Sequence, residues 1–275
     1  MGLVSLVIST ERYKKHLVLV LAIFIVAVLS APPVSASPDC TYRSPKGLCF
    51  YTPNSIQPPF DLLWWKFNPI NQINEDTLTT SLKLLSEEDA FNTCGPATLA
   101  MVINYFADKT PEKGYRRVDP SEIMWLGYSE FGLYDRRAKD GLLGLTDILA
   151  LARRYGLDQS YPPSGDTFIS FDELYRGVKD GRPAIVGLNY QYLPDGRYVP
   201  TGLNTDINHF VVIIGVAHDN YGQEAVWYIN THPGKYLTSD SDVSPEKMPL
   251  NDFKQAWGRL DPKEGTIKGY ALFIE

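Results

Sequence analysis

Cys94 stands at the head of the run Asn92-Thr93-Cys94-Gly95-Pro96-Ala97. A thiol attacks a carbonyl carbon only as thiolate. A helix N-terminus favours that anion through its unpaired N–H groups and its dipole. Asn92 or Thr93 can cap such a helix with a side-chain oxygen, and Pro96 is tolerated in the first turn. Gly95 lets a ligand approach the backbone, and the Cys94 N–H can donate to an oxyanion. Cys94 therefore reads as a nucleophile. The competing reading is a buried structural cysteine.

A cysteine nucleophile needs a general base, and the sequence holds four histidines. His16 lies near the N-terminus, His218 beside Asp219-Asn220, and His232 after an apolar stretch. His209 opens the run Phe210-Val211-Val212-Ile213-Ile214-Gly215. A rigid apolar strand would hold that imidazole at a cleft edge, so His209 is the candidate base. A third group must fix its tautomer. Asn230 ends Val226-Trp227-Tyr228-Ile229, and a turn at 220–222 would fold the two stretches into a hairpin with 209 and 230 roughly opposite. Asp206 is the weaker alternative, set in a Gly/Asn-rich loop. No His/Cys/Asp cluster has metal-ligand spacing, so neither metal nor cofactor is implied.

These residues need elements to position them. Leu99, Val102, Ile103 and Phe106 recur at helical spacing, which predicts a helix from Cys94 to about Phe106. Further helices are predicted over Ser121–Leu126, from Thr146 to before Gly156, over Phe171–Val178 and over Leu250–Trp257. Strands are predicted over 183–190, His209–Val216, Ala225–Asn230 and Gly269–Ile274, with a hairpin-type turn at Asp195-Gly196. The His209 strand is apolar throughout, which requires burial on both faces. Helices first and antiparallel strands afterwards give an α+β domain, a helical layer facing a sheet.

The N-terminus reads as an export signal. Arg12, Lys14 and Lys15 precede the apolar run Leu17–Leu29, and Val34-Ser35-Ala36 fits a cleavage site. The run is short for a membrane span, so no stable span is expected once 1–36 is removed. An uncleaved anchor is the alternative. The expected location is secreted, or the cell envelope if the anchor stays. Export implies oxidising conditions and paired cysteines. Cys40 and Cys49 flank a short loop and can close it, leaving Cys94 as the odd thiol of three. Pairing of Cys94 with either of them is the alternative. Residues 37–85 are rich in Pro and aromatics, including Trp64-Trp65, and read as an extension or pro-segment before a domain at 86–275. The formal charge of −6 for the chain, or −8 without residues 1–36, argues against a nucleic-acid partner.

The stretch Asn92-Thr93-Cys94-Gly95-Pro96-Ala97-Thr98-Leu99-Ala100-Met101-Val102-Ile103-Asn104-Tyr105-Phe106 resembles the nucleophile helix of the C39-like cysteine peptidases of the papain-like superfamily. Gly141–Leu145 with Ile148–Gly156, Gly181-Arg182-Pro183-Ala184-Ile185-Val186, Asn208–Gly215 and Tyr228-Ile229-Asn230-Thr231-His232-Pro233 are similar to further segments of that family. Phe253 with Trp257 matches a helix near its end. The likeness covers about 86–275. It implies a papain-like fold, Cys94 as nucleophile, His209 as base and Asn230 as orienting residue. Two departures stand out. The family usually has Asp before that Pro, where this chain has Thr231-His232. It usually has an oxyanion Gln about six residues before the Cys, where this chain has Glu87-Glu88-Asp89; Asn92 can supply the amide donor instead. The expected function is an exported thiol hydrolase acting on peptide or protein substrates, of unspecified oligomeric state. The alternatives are an acyltransferase using the same Cys-His site and a non-catalytic binding module on the same fold.

Overall fold

A computed structural model of the chain describes residues 42–43, 49–50, 67–72, 74–84, 92–133, 144–157, 160–161, 167–202, 207–218, 222–234, 239–240 and 243–274. The proposed signal at 1–36, the Cys40–Cys49 bridge, Trp64-Trp65, Glu87-Glu88-Asp89, Gly141–Leu143 and Asp206 lie outside the described residues.

Two short strands, β1 (Tyr42–Arg43) and β2 (Cys49–Phe50), pair with each other. The helices α1 (Glu75–Leu84), α2 (Cys94–Lys109), α3 (Pro120–Phe131) and α4 (Leu145–Arg154) come next. Then β3 (Ser160–Tyr161), β4 (Phe168–Ser170), α5 (Phe171–Lys179), β5 (Ala184–Leu188), β6 (Tyr190–Tyr192), β7 (Tyr198–Pro200), β8 (His209–His218) and β9 (Glu224–Asn230) follow. The chain closes with β10 (Pro245–Pro249), α6 (Leu250–Trp257), β11 (Arg259–Leu260) and β12 (Ile267–Ile274). Among the described residues the main sheet runs β10-β9-β8-β5-β12-β11, with β3 and β4 also paired to β12, all antiparallel. The α+β class expected from the sequence holds.

The sheet carries apolar clusters on both faces. On one face Ile185, Val212, Ile214, Trp227 and Ile229 pack with residues of α2, α3 and α4. On the other, Val186, Val211, Ile213, Tyr228 and Phe273 pack with Phe171, Leu174, Phe253 and Trp257 of α5 and α6. The expected single helical layer is therefore doubled, which is what an all-apolar β8 demands. The helix α2 is buried from Gly95 to Ala107, as a helix apolar on every side must be.

Local chemistry sets most boundaries. Asp119 accepts from the Ser121 N–H at 2.8 Å and Glu122 reaches back to the Asp119 N–H, so α3 starts at Pro120 and runs past the expected Leu126. Ser170 and Glu173 box the start of α5 in the same way. Gly196 adopts φ 84° in the turn joining β6 to β7, as the Asp195-Gly196 pair predicts. The packed unit also reaches further toward the N-terminus than residue 86. Phe67, Ile70 and Leu84 belong to the α2 core, and Phe67 stacks on Tyr105 with ring centroids 4.8 Å apart. Their segment carries too little periodicity in sequence to reveal this.

Candidate active site

Cys94 is the first residue of α2 and carries a free thiol. The expected side-chain cap is missing: Thr93 holds the N-cap position, but its hydroxyl donates to the Gln72 carbonyl at 2.6 Å. The first N–H groups of α2 thus have no side-chain partner from the cap residue. The backbone N–H groups of Phe210, Gly95 and Cys94 itself face the sulfur and favour its anion, yet burial outweighs them and pushes the thiol up to about 11. The helix start alone does not give a resting thiolate, contrary to the expectation from sequence.

Cys94 opens onto a cavity of ≈ 580 Å³. Its walls are Asn92 and Cys94–Pro96 at the start of α2, Gly144–Thr146 at the start of α4, Thr167, the β8 entrance at Ile207, Asn208 and Phe210, and Tyr270. None of these described lining residues is Asp, Glu, Lys or Arg. Asn92 is exposed on this wall, two residues before Cys94.

His209 begins β8 and is 1 % exposed. Its ring lies against Tyr190 at 4.5 Å and edge-on to Tyr198 at 4.9 Å between centroids. Its Nε2 is 2.8 Å from Asn230 Oδ1. The backbone N–H of His232 lies 2.9 Å from the same oxygen and can only donate, which fixes the orientation of the Asn230 amide. The His209 Nε2 therefore carries a proton toward Asn230, and Nδ1 is left as the basic nitrogen. Burial pushes the ring down to about 3, against the Asn230 bond, so it rests neutral.

The hairpin brings His209 and Asn230 together, though not directly opposite. Asn230 pairs with Val211, and the register shifts at a bulge between Ile213 and Gly215. His209 and Val211 share one face of β8, so the imidazole reaches Asn230 as a diagonal neighbour. Among the described residues no hydrogen bond joins Cys94 to His209 in this state. The two are linked by adjacency: the Phe210 N–H faces the sulfur, and Tyr198 touches the His209 ring while its anion would be repelled by a Cys94 thiolate.

Several neighbours were not visible from sequence. Gln72 donates its N–H to the Thr231 carbonyl at 2.9 Å, and its Oε1 accepts from the Thr231 hydroxyl at 2.8 Å. With the Thr93 bond it straps the nucleophile helix to the end of β9. His232 is 1 % exposed, and its Nε2 meets the Tyr192 hydroxyl. Glu246, on β10, accepts from Asn230 Nδ2 at 3.0 Å and is 4 % exposed. His218, by contrast, is exposed at the far end of β8, as its setting in the sequence suggests.

Cys94 at the start of α2 and His209, bonded to Asn230 at the start of the antiparallel strand β8, thus stand on adjacent elements. The chain belongs to the Peptidase_C39 like family, whose model matches residues 65–263. The resemblance read from the Cys-Gly-Pro helix and the His strand is thereby shown, and with it a cysteine-peptidase type of function at the level of the family. The match begins before the boundary at 86, in keeping with the packing of Phe67. A comparison with curated proteins found no match. Among the described residues no helix is long and apolar enough to cross a membrane, and no group of His, Cys, Asp and Glu could hold a metal ion.

Proposed function

We propose that this chain is an exported thiol hydrolase that cleaves amide bonds of peptides or proteins through an acyl-enzyme on Cys94. The observation that carries the reading is the free thiol at the uncapped start of α2, facing a cavity, with the oriented His209–Asn230 pair beside it. His209 Nδ1 takes the Cys94 proton as the sulfur attacks the carbonyl carbon. The Cys94 N–H, with Asn92 on the same wall, donates to the resulting oxyanion. His209 then returns the proton to the leaving amine, giving a thioester. Water, deprotonated by His209, releases the acid and frees Cys94.

Separately, each charge is opposed by burial; formed together, thiolate and imidazolium attract each other in a site of low dielectric. Proton transfer is therefore coupled to substrate binding, which must close the remaining gap between Cys94 and His209. A neutral, largely apolar cavity suits an uncharged peptide segment beside the scissile bond. The positive run Arg12, Lys14 and Lys15 before Leu17–Leu29 supports export to the outside or the cell envelope.

The test is alkylation of the native, unreduced protein with iodoacetamide near neutral pH, with the adduct mapped by mass spectrometry. Selective labelling of Cys94 that collapses in His209→Ala is the expected result. Labelling unchanged by His209→Ala, or a Cys94 found in a disulfide, overturns the reading and leaves a binding module on the same scaffold. If labelling passes, a peptide thioester incubated with amines and water separates hydrolase from acyltransferase by its product.

A further inference from the structure

Glu246 is a buried carboxyl that the steps above do not use. Its strand, β10, is the edge of the sheet and pairs with β9 so that Glu246 lies opposite Tyr228. One oxygen, Oε1, accepts from Asn230 Nδ2 at 3.0 Å. The other, Oε2, has no hydrogen-bond partner, although the Tyr228 hydroxyl lies next to the carboxyl. The ionisable groups around the string are Tyr228 on β9, Tyr190 on β6, Tyr198 on β7, His209 on β8 and His232 after β9. No Lys or Arg among the described residues pairs with Glu246, and its neighbour Lys247 sits over the Trp227 ring instead.

The orientation of the Asn230 amide makes this string directional. Its oxygen faces two donors, the His232 N–H and the His209 Nε2–H. Its NH₂ faces Glu246 and the Tyr198 carbonyl. A negative carboxylate drawing on the N–H side polarises the amide and makes its oxygen a stronger acceptor. That oxygen is the one holding His209, so imidazolium is stabilised at the moment the ring takes the thiol proton. No proton passes through the amide; only charge is redistributed.

We propose that Glu246 is a positioning residue that acts through Asn230 to raise the proton affinity of His209, and so the reactivity of Cys94. The proposal rests on the hydrolase reading above. Its electrostatics are favourable. Burial pushes Glu246 up to about 7, against the Asn230 bond and the nearby Tyr228 hydroxyl, so near neutral pH the carboxyl is poised to ionise when a positive ring forms two residues away along the string.

The experiment is the rate of Cys94 alkylation by iodoacetamide from pH 5 to 9 in the full chain and four variants: Glu246→Gln, Asn230→Ala, the double variant and His209→Ala. Gln keeps an acceptor toward Asn230 but removes the charge. Glu246→Gln is expected to slow labelling about tenfold at pH 8 and to flatten the profile near pH 7. The double variant should label no more slowly than Asn230→Ala alone, because the carboxyl acts only through that amide. Wild-type rate and profile in Glu246→Gln, with His209→Ala still slow, overturn the positioning role and leave the hydrolase reading standing. Additive losses in the double variant overturn it too. A His209→Ala variant that labels at the wild-type rate removes the hydrolase reading and this inference together. If Glu246→Gln fails to fold, the ¹⁵N shift of the His209 Nε2 in the wild-type chain decides. A step between pH 6 and 8 supports the string, and a flat response there overturns it.

Discussion

Around Cys94 the polar groups are main-chain amides, and the side chains are apolar or neutral walls of a cavity. Around His209 they are side chains: Asn230, Glu246 and a cluster of tyrosines, nearly all out of reach of solvent. The nucleophile is thus presented, whereas the base is embedded. A substrate must reach the sulfur, so that side stays open and carries few bonds of its own. An imidazole must keep one tautomer and one direction, so that side is held by a hydrogen-bonded string with ring contacts. Reactivity and stability should therefore separate: the first is vulnerable on both sides, the second mainly on the His209 side.

The largest expected effects test that separation. Cys94→Ala should lower hydrolysis by about 10⁴-fold or more, as loss of a nucleophile does, while changing unfolding free energy by less than about 1 kcal/mol. His209→Ala should lose comparable activity and also about 2–4 kcal/mol of stability, because it empties a site packed between Tyr190 and Tyr198 and leaves polar neighbours buried. Urea unfolding of both variants beside the wild type measures the contrast. Equal stability losses in the two would break the distinction between a presented and an embedded residue.

A smaller effect is expected from pH. Burial pushes His209 down to about 3 and His232 down to about 4. Unfolding returns each ring to about 6.5, so below that value the unfolded chain binds more protons and stability falls as pH drops. Glu246, pushed up to about 7, works in the opposite sense. Its contribution is full below its ordinary value and is lost as pH rises from about 4.5 to about 7. Between about 4.5 and 6.5 the net slope is one proton, or about 1.4 kcal/mol per pH unit, and it roughly doubles below 4.5. From pH 6.5 to 4 the loss is about 4 kcal/mol, a large part of an ordinary stability. Denaturant titrations across that range should show it, and Glu246→Gln should steepen it by removing the opposing proton. A flat profile would mean that the embedded side is wetter than its burial implies.

The same contrast governs what could be read from the sequence. The presented side was legible, because a Cys-Gly-Pro helix start and an apolar stripe over Leu99, Val102, Ile103 and Phe106 are local signals. The His209 strand and its hairpin partner were legible for the same reason, although pairing of His218 with Glu224 offsets the hairpin from the expected register, and the bulge between Ile213 and Gly215 brings Asn230 back only as far as Val211. The embedded side was mostly not. Pro245-Glu246-Lys247-Met248-Pro249 carries no strand signal, since prolines flank a charged pair, and an edge position in the sheet is what tolerates them. Glu246 is buried by its partners rather than by its own pattern. Gln72 and His232 act through contacts spanning 159 and 40 residues, with Thr231 and Tyr192, which no local period encodes. At Cys94 the helix dipole is visible in sequence and the opposing desolvation is not.

The smallest expected effect sits where the embedded side meets solvent. Tyr192 is 47 % exposed, yet its hydroxyl meets the Nε2 of His232, whose Nδ1 already has no partner. Tyr192→Phe keeps the edge-on ring contact, with centroids 5.4 Å apart, and removes only the hydroxyl. Both nitrogens of a buried ring would then lack a protein partner, which costs about 1 kcal/mol if water can reach Nε2 from the exposed Tyr192 side and about 2–3 kcal/mol if it cannot. The outward position of Tyr192 favours the lower figure. The His232 N–H bond to Asn230 belongs to the backbone and should survive, so Cys94 labelling should stay within about twofold of wild type. A thermal shift of a few degrees with unchanged labelling would confine the role of His232 to holding the strand end. A loss of labelling as large as that of Asn230→Ala would extend the embedded string to Tyr192 itself.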